Sequence, residues 1–346
     1  MSALRAELTM DLGTDNVILY QRGKGVILSE PTVVAIDRMT DKFFAVGEQA
    51  QRMLGKTPDT IRGIKPILNG QVAEYEITKR LIKYLVQKSL KMAFVRPHMV
   101  VGVPAGSSMV ARTALLEVCQ EAGLSKVYLM EAPLATAMAE GLDVEKPLGR
   151  MVLDIGAGLA QGAIISLGSV VVGRNISTAG DAFDKAIVDG IRKAHGVAIG
   201  IYTAKDIKHL IGALTPQPDD RGLRIAGRDI ATGLPREIII TSDDVRFMLE
   251  DSFSEILDML EQLLEETPEE LVTDIHQHGL LITGGSSELK GITDRLRAHL
   301  KIPVRLATNK RDGVALGLGK SLDSMPLLED KLKGLVEAAT TRTKEE

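Results

Sequence analysis

The sequence predicts an α/β protein built from two similar halves that face each other across a cleft. Strand-like and helix-like runs alternate along the chain, which is typical of α/β folds. The opening pattern, an apolar strand ending in Asp and followed by a glycine turn, also returns once. Asp11-Leu12-Gly13 matches Asp154-Ile155-Gly156 at an offset of 143 residues (154 minus 11). One repeat at that distance indicates duplication of a whole domain rather than a short solenoid period. With 346 residues, 45% of them hydrophobic, the chain can form two cores.

The first half is predicted to open with a β-hairpin over residues 8–20 that turns at Gly13-Thr14-Asp15-Asn16, where the residue types tolerate unusual backbone angles. A helix over residues 109–122, which follows a buried strand at 99–103, is expected to end at Gly123, because glycine is a common C-cap residue. Apolar periodicity predicts further strands in 24–37, 43–46, 99–103 and 127–130, and helices at 76–90, 109–122 and 132–141.

The second half repeats the hairpin over residues 150–167. A second hairpin is expected at 223–240, turning around Gly227-Arg228-Asp229. The remaining pattern predicts helices at 181–193, 204–211, 242–266 and 291–300, and strands at 279–283 and 304–306. The expected first lobe covers residues 1–145, contains a small subdomain at about 30–68, and is completed by a C-terminal segment at about 310–335. The expected second lobe covers residues 146–310 and contains a small subdomain at about 182–245. A polar tail is expected at 336–346.

Composition excludes several classes of protein. The net charge of −4 does not favour a surface for non-specific nucleic-acid binding, and 3% aromatic residues leave few rings for stacking bases. One cysteine, Cys119, cannot form an intramolecular disulfide, which suits a reducing compartment. No apolar run reaches the length of a membrane-spanning helix, and the N-terminus does not read as a signal peptide.

The two glycine turns have the chemistry of a phosphate site. A tight glycine turn exposes backbone N–H groups to an anion, and Thr14 and Asn16 add side-chain donors. Asp11 and Asp154 each end an apolar strand, so we expect both at the cleft floor, where carboxylates can hold a hydrated Mg²⁺ that bridges phosphates. A third glycine turn, Gly284-Gly285-Ser286, follows another buried strand and could pack against a nucleoside.

These motifs, together with several longer runs, resemble the actin, sugar-kinase and Hsp70 ATPase superfamily and, within it, the MreB family of bacterial actins. The similarity extends from about Thr9 to Gly319, and the loops between the motifs match as well. The runs that carry it are DLGTDNVILYQRGKGVILSEPTVVAI, VVGVPAG, VYLMEAPLATAMAEGL, MVLDIGAG, AGDAFDKAIV, TAKDIKHLIG and GLLITGGSSELKGI.

The resemblance implies a duplicated actin-like (ribonuclease H-like) fold that binds ATP with Mg²⁺ and polymerises. It implies antiparallel double filaments on the inner face of the cell membrane, which organise cell shape and the machinery of lateral cell-wall synthesis. The expected location is therefore cytoplasmic and peripheral to the inner membrane. The expected partners are other copies of the chain, that membrane and cell-wall elongation proteins, with no nucleic acid.

The resemblance also assigns roles to residues by motif position. Asp11 and Asp154 would organise the metal ion and act with Gln161 in catalysis. The implied nucleotide contacts are Gly13, Thr14, Asp15 and Asn16 in the first phosphate loop, Gly156, Ala157, Gly158 and Leu159 in the second, Lys205, Asp206, Ile207 and Lys208 beside the nucleoside, and Gly284, Gly285, Ser286, Ser287 and Glu288 in the adenosine-side loop.

The chain departs from the family pattern at this site. Ala111 stands where the family usually has a Glu that orients the attacking water, and Lys205 replaces a Glu that contacts the nucleoside. The second loop usually reads Gly-Gly-Gly-Thr-Thr-Glu, whereas here Leu159, Ala160 and Gln161 occupy its last three positions. Loss of a water-orienting group costs roughly 10²–10⁴ in rate. We therefore expect ATP binding to persist while hydrolysis is slow or absent, as in a divergent paralogue.

An apolar segment between cations is a candidate membrane contact. Met92, Phe94 and Val95 lie between Lys91 and Arg96. A buried turn would explain the pattern, but in relatives of the resembling family an apolar loop at this position enters the membrane, and the flanking cations suit anionic headgroups.

A histidine pair and the single cysteine have reactive side chains, but neither pattern favours a functional site. His276-Gln277-His278 has a spacing that could serve a metal on a strand, but a surface pair is favoured because no Cys or further His lies nearby in sequence. Cys119, among apolar residues of a helix, is interpreted as a core thiol rather than a nucleophile.

Three alternatives remain at this stage. The first is another bacterial actin, one that positions plasmids or organelles. The second is a sugar or acetate kinase on the same fold, for which no sugar-binding insert is visible. The third is an Hsp70-like chaperone ATPase, for which no substrate-binding domain follows the ATPase core.

Overall fold

The computed structural model describes residues 7–55, 58–90, 97–218 and 222–324. It contains two five-stranded mixed sheets with helices packed around them, together with smaller sheets. The strands are β1 (Glu7–Leu12), β2 (Asn16–Gln21), β3 (Gly25–Pro31), β4 (Val34–Asp37), β5 (Phe43–Val46), β6 (Ile61–Ile64), β7 (Ile67–Leu68), β8 (Gln71–Val72), β9 (His98–Val103), β10 (Lys126–Glu131), β11 (Arg150–Ile155), β12 (Ala160–Ser166), β13 (Ser169–Ile176), β14 (Val197–Ala198), β15 (Leu223–Asp229), β16 (Pro235–Ile240), β17 (Leu280–Thr283) and β18 (Val304–Leu306).

The helices surround these sheets, and two short 3₁₀ turns, Gly285–Glu288 and Leu322–Ser324, accompany them. The α-helices are α1 (Glu48–Met53), α2 (Tyr75–Leu90), α3 (Met109–Glu121), α4 (Ala132–Ala139), α5 (Gly180–His195), α6 (Ile201–Ile211), α7 (Ser242–Glu265), α8 (Glu269–His278), α9 (Ile292–Leu300) and α10 (Gly313–Ser321). Among the described residues, no helix is both long and apolar enough to cross a membrane.

The two large sheets have the same topology. The first has the order β3-β2-β1-β9-β10 and the second has the order β13-β12-β11-β17-β18. In each sheet, the first three strands pair antiparallel and the last two add in parallel. The bounds of β1 and β11 both differ by 143 residues, which is the offset of the sequence repeat. The predicted duplication is thus present in three dimensions.

Each sheet packs its helices around a separate core. Leu8, Met10 and Leu81 lie in the core of the first sheet, and Leu153, Phe183 and Phe253 lie in that of the second, all buried. Near-continuous apolar runs in the central strands and the 3.6-residue periodicity of the helices produce this burial.

A third core, built by α4 and α10, lies between the two sheets. Leu134 and Ala135 of α4 share it with Leu318 of α10, and Val100 and Val152 contribute from β9 and β11. The two helices approach closely because their sequences are rich in Gly and Ala: a Cβ placed on Gly317 would lie 1.7 Å from the Ala135 carbonyl oxygen.

The structure corrects the predicted hairpin turn in the second half. Gly227 lies inside β15, and the chain turns instead at residues 230–234. Asp229 sets this turn, because its carboxylate accepts hydrogen bonds from the backbone N–H groups of Ala231 (3.0 Å) and Thr232 (2.9 Å), and Gly233 has a φ of 75°. The hydrogen bonds of the Asp229 side chain therefore decide where the chain turns, and Gly227 remains within the strand.

Several elements were not predicted from the sequence. They are α1, α8, α10, β13 and the short strands β6, β7, β8 and β14. The His276-Gln277-His278 run forms the last three residues of α8, so it is helical and does not have the strand geometry on which the metal pair was considered. Met92, Phe94 and Val95 and the polar tail 336–346 lie outside the described residues.

Candidate functional site

The repeated hairpins place two similar turns beside one another. In the first turn, the Gly13 N–H donates to the Asn16 carbonyl oxygen (3.0 Å). In the second, the Gly156 N–H donates to the Leu159 carbonyl oxygen (2.9 Å). The two hydrogen bonds are equivalent under the 143-residue repeat, so the backbone closes each turn in the same way.

The turns are in contact with each other. A Cβ placed on Gly158 would lie 2.6 Å from Thr14 Oγ1 and 2.8 Å from Thr14 Cγ2, so this position admits only glycine without a shift. Thr14 is buried, and its Oγ1 accepts a hydrogen bond from the Gly70 N–H (3.2 Å). Close packing therefore fixes the spacing between the two turns.

A cleft of about 370 Å³ opens over both turns. Most of the residues predicted to contact a nucleotide line it. These are Gly13, Thr14, Asp15, Asn16, Gly156, Ala157, Gly158, Leu159, Lys205, Lys208, Gly284, Gly285, Ser286 and Glu288, together with Asp11, Asp154 and Gln161.

Asp11 and Asp154 carry the unpaired negative charge of the cleft. Burial, together with Asp154 and Asp312 nearby, raises the pKa of Asp11 to about 7, and burial raises the pKa of Asp154 to about 6. Neither carboxylate forms an ion pair with a Lys, Arg or His of the described chain. A divalent cation would relieve this repulsion.

Gln161 links the second carboxylate to the other half of the molecule. Its Nε2 donates to Asp154 Oδ2 (2.9 Å), and its Oε1 accepts from the Ala105 N–H (2.9 Å). The side chain is buried, and both ends of its amide are engaged. A Glu at this position could accept from Ala105 but could not donate to an ionised Asp154.

Ala111 lies behind the cleft rather than in its lining. It is in the first turn of α3, where its N–H donates to Ser108 Oγ (3.2 Å). Together with Gly70 and Pro104, which also line the cleft, it borders a separate cavity of about 10 Å³. A longer side chain at position 111 would therefore lie next to residues that form the wall of the cleft.

Helix α6 forms the side of the cleft that was assigned to the nucleoside, and it presents only part of the predicted run. Lys205 and Lys208 line the cleft, whereas Asp206 is exposed outside it and Ile207 is buried in the core. Residues three or four apart share a helix face, as Lys205 and Lys208 do, whereas consecutive residues point in different directions and cannot all reach a ligand. Lys208 Nζ pairs with Asp184 (2.7 Å).

Lys205 and Asp15 form an ion pair, with 2.9 Å between Nζ and Oδ2. Burial opposes ionisation of both groups, but the attraction between them outweighs burial. It holds the pKa of Asp15 below its usual value and raises the pKa of Lys205.

The third glycine turn packs directly on the second. Gly284 has a φ of 87°, and a Cβ there would lie 2.3 Å from the Ile155 carbonyl oxygen. Ser286 Oγ donates to the Gly156 carbonyl oxygen (2.8 Å), whereas Ser287 Oγ is buried and donates to Gly284. Glu288 pairs with Arg311 at 2.6 Å.

Other lining residues were not found by sequence reasoning. They include Gly70, Asp181, Asp184, His209, Gly212, Lys290, Lys310 and Arg311. Asp181 and Asp184 stand in the run AGDAFDKAIV and could have been singled out from it. The others reach the cleft only through the packing of distant segments and have no local signal.

Cys119 is a fully buried thiol, and burial raises its pKa to about 12. It is therefore unreactive, as expected for a core residue.

This fold and cleft define a two-lobed, actin-like protein. A family model described as MreB/Mbl protein matches residues 5–330, and the chain belongs to the MreB/Mbl family. The cell shape-determining protein Mbl of Bacillus subtilis (strain 168) is 39% identical over 323 residues, which cover 93% of this chain and 97% of that protein. The cell shape-determining protein MreB of Escherichia coli (strain K12) is 37% identical over 327 residues, which cover 93% of this chain and 94% of that protein.

Solved structures agree with this assignment. MreB5 of Spiroplasma citri bound to AMPPNP superposes with a TM-score of 0.87 at 34% identity and covers 97% of this chain and 99% of that one. The MamK double helical filament, at 19% identity and a TM-score of 0.77, shares the fold. The resemblance inferred from the motifs is thus confirmed at the level of family and fold.

Proposed function

We propose that this chain binds ATP in the cleft and assembles into membrane-associated filaments that organise cell shape and lateral cell-wall synthesis. The observation that carries the proposal is the pair of equivalent turns, Gly13–Asn16 and Gly156–Leu159, which touch each other over the carboxylates Asp11 and Asp154. Two such turns can hold successive phosphates of one nucleotide with backbone N–H groups. MreB5 of Spiroplasma citri, 34% identical to this chain, was solved bound to AMPPNP, which supports a nucleotide as the ligand.

The residues present fit Mg²⁺ as the accompanying ion. Mg²⁺ is usually held by one or two carboxylates together with waters and substrate phosphates, rather than by a cage of protein ligands. Asp11 and Asp154 supply two carboxylates whose charge no described cation balances. When bound, the ion would neutralise charge on the phosphates, and Gln161 would hold Asp154 in position.

We further propose that hydrolysis is slow. Ala111 has no polar side chain, and Gln161, whose amide is held by Asp154 and the Ala105 N–H, cannot accept a proton from water as a Glu could. Leu159 and Ala160 offer no hydroxyl to a terminal phosphate. Binding needs only the turns and the carboxylates, which remain.

The proposed lobe boundaries are 1–145 and 146–310, with small subdomains at about 30–68 and 182–245. Support comes from the separate cores of the two large sheets. α10 packs on α4 and on β1, which agrees with a C-terminal segment that returns to close the first lobe.

Self-assembly, an antiparallel double filament, the inner membrane and cell-wall elongation proteins are proposed from family membership. The matched relatives Mbl and MreB are named cell shape-determining proteins, which favours this role over plasmid or organelle positioning or a small-molecule kinase.

One experiment tests the proposal. Purified protein is sedimented with ATP, with ADP and without nucleotide, while phosphate release is measured in parallel and ATP binding is measured by calorimetry. We expect micromolar-range or weaker ATP binding, pelleting filaments visible by electron microscopy, and little phosphate. Protein that stays monomeric at high concentration in all three conditions would refute the filament assignment, and failure to bind ATP would refute the cleft assignment.

A further inference from the structure

Besides the packing of Thr14 on Gly158 and the core built by α4 and α10, two sets of polar contacts join the halves at different levels of the cleft. At the floor, the backbone of Ala105 is held on both sides: its N–H donates to Gln161 Oε1 (2.9 Å), and its carbonyl accepts from Asn175 Nδ2 (2.5 Å). The neighbouring backbone is equally close, since a Cβ on Gly106 would lie 2.6 Å from the Gly173 carbonyl oxygen. These contacts, of which the hydrogen bond from Ala105 to Gln161 is buried, tie the loop after β9 to β12 and β13.

The second set consists only of ion pairs between charged side chains. Lys205 Nζ lies 2.9 Å from Asp15 Oδ2. Lys65 Nζ lies 3.7 Å from Asp15 Oδ1 and 3.3 Å from Asp181 Oδ2. Asp15 and Lys65 belong to the first half and Lys205 and Asp181 to the second, so the chain of charges crosses between the halves. We call these four residues the strap.

The strap crosses the region that a nucleotide must pass. Asp15 is part of the first glycine turn, Lys205 lies on α6, and Asp181 is in the first turn of α5. All three line the cleft. The side chains of Asp15, Lys65 and Lys205 are only 26–31% exposed. Partly buried charges in a network are screened less and hold one another more firmly than an isolated surface pair.

We propose that the strap controls nucleotide exchange: it closes the cleft by joining Lys205 and Lys65 to Asp15 and Asp181, and it must separate before a nucleotide enters or leaves. The proposal rests on the function proposed above, that the cleft binds a nucleotide. Because the floor contacts are independent of the strap, the halves can open at the strap while Ala105 stays attached. Exchange is therefore faster at high salt, which weakens ion pairs and spares buried hydrogen bonds.

The first test measures release of a fluorescent (methylanthraniloyl) ADP from the full chain. We expect Lys205→Gln and Asp15→Asn each to speed release by about fivefold, in line with the loss of a partly buried ion pair. The double variant should be no faster than Asp15→Asn alone, because the Asp15 variant already lacks the pair with Lys205 and the weaker one with Lys65. Arg52→Gln, which breaks the ion pair with Glu48 inside one half, is the matched control and should leave release unchanged.

The second test needs no nucleotide. Spin labels on Thr60→Cys and Ala231→Cys, both exposed and in opposite halves, report the distance across the molecule by pulsed electron resonance; Cys119 is buried and escapes labelling. We expect Lys205→Gln, or 0.5 M salt on the parent, to shift the distribution to longer distances.

Equal distributions and equal release rates in parent and Lys205→Gln would overturn the strap. If the parent binds no nucleotide at all, the proposed function fails, while the distance measurement still decides whether the strap holds the halves together.

Discussion

At the scale of single residues, Asp11 has the most perturbed chemistry in the cleft. Its pKa is raised from 3.8 to about 7 by burial and by Asp154 and Asp312. The folded protein therefore holds this proton more tightly than the unfolded chain does. Its contribution to stability is complete below about pH 4 and is lost as the pH rises through about 7.

We predict that Asp11→Asn removes part of this pH dependence. The nucleotide-free parent should lose stability between pH 4 and pH 8, and the variant should lose about 1–3 kcal/mol less over that range. Urea unfolding at several pH values measures the difference. Asp189→Asn, an exposed position on α5, serves as the control and should follow the parent. If the unfolding free energy of Asp11→Asn changes with pH as that of the parent does, the pKa of Asp11 is not raised in the folded protein.

Ala111 bears on hydrolysis rather than on stability. A Glu at this position would extend from the first turn of α3 toward the cavity bordered by Gly70 and Pro104, next to the cleft wall. We predict that Ala111→Glu raises phosphate release at least about tenfold, because a positioned acid or base contributes 10²–10⁴ when its surroundings are complete.

Gln161→Glu and Leu159→Thr should add to the effect of Ala111→Glu on phosphate release. Thr113→Glu places the same charge on an exposed position of the same helix and should have no effect. Parent turnover that already equals that of a typical bacterial actin would mean that another residue orients the water.

At the scale of elements, the two hairpins work as one unit because their turns touch. The contact between Gly158 and Thr14 sets the distance between the two proposed phosphate loops. The β-strand pairings that present the turns are fixed by the buried register of β1 with β2 and of β11 with β12.

We predict that Gly158→Ala destabilises the protein by about 1–3 kcal/mol, because its Cβ would meet Thr14 Oγ1 at 2.6 Å and must push the turns apart. ATP affinity should fall at least about tenfold. Gly156→Ala is the matched control for stability, since its Cβ would lie 3.4 Å from the Leu159 carbonyl oxygen, an ordinary contact. Urea unfolding and calorimetry measure the two effects, and equal unfolding midpoints for the two variants would count against the packing argument.

At the scale of the whole molecule, each large sheet has its own core, and α4 with α10 form a further core that joins the two sheets. The cleft opens beside this shared core, so motion of the halves changes its width. A filament would repeat any weak surface contact of one molecule many times, and avidity would make that contact firm.

We predict that Phe94→Ser releases filaments from anionic liposomes. Burying one Phe side chain contributes about 1.5–3 kcal/mol, which is small for a monomer and large for a polymer. Met92 and Val95 should contribute in the same direction. Phe247→Ser, at an exposed Phe on α7, is the control. Co-sedimentation of the Phe94 variant equal to that of the parent would show that this segment is not the anchor.

The sequence by itself determined the duplication, most elements, the two glycine turns and the carboxylates of the floor. These are local properties: strand burial, turn chemistry and a repeat at a fixed offset are all written in consecutive residues. Tertiary structure decided the rest. It placed Asp206 and Ile207 away from the cleft, because one helix cannot present consecutive residues to one ligand, and it brought Lys310 and Arg311 into the lining.

Tertiary structure also engaged both ends of the Gln161 amide, with Asp154 on a neighbouring strand and with Ala105 in the other half. The strap between Asp15 and Lys205 joins residues 190 positions apart. No local pattern contains such a pairing, since it exists only after two separately folded cores have set the distance between the side chains.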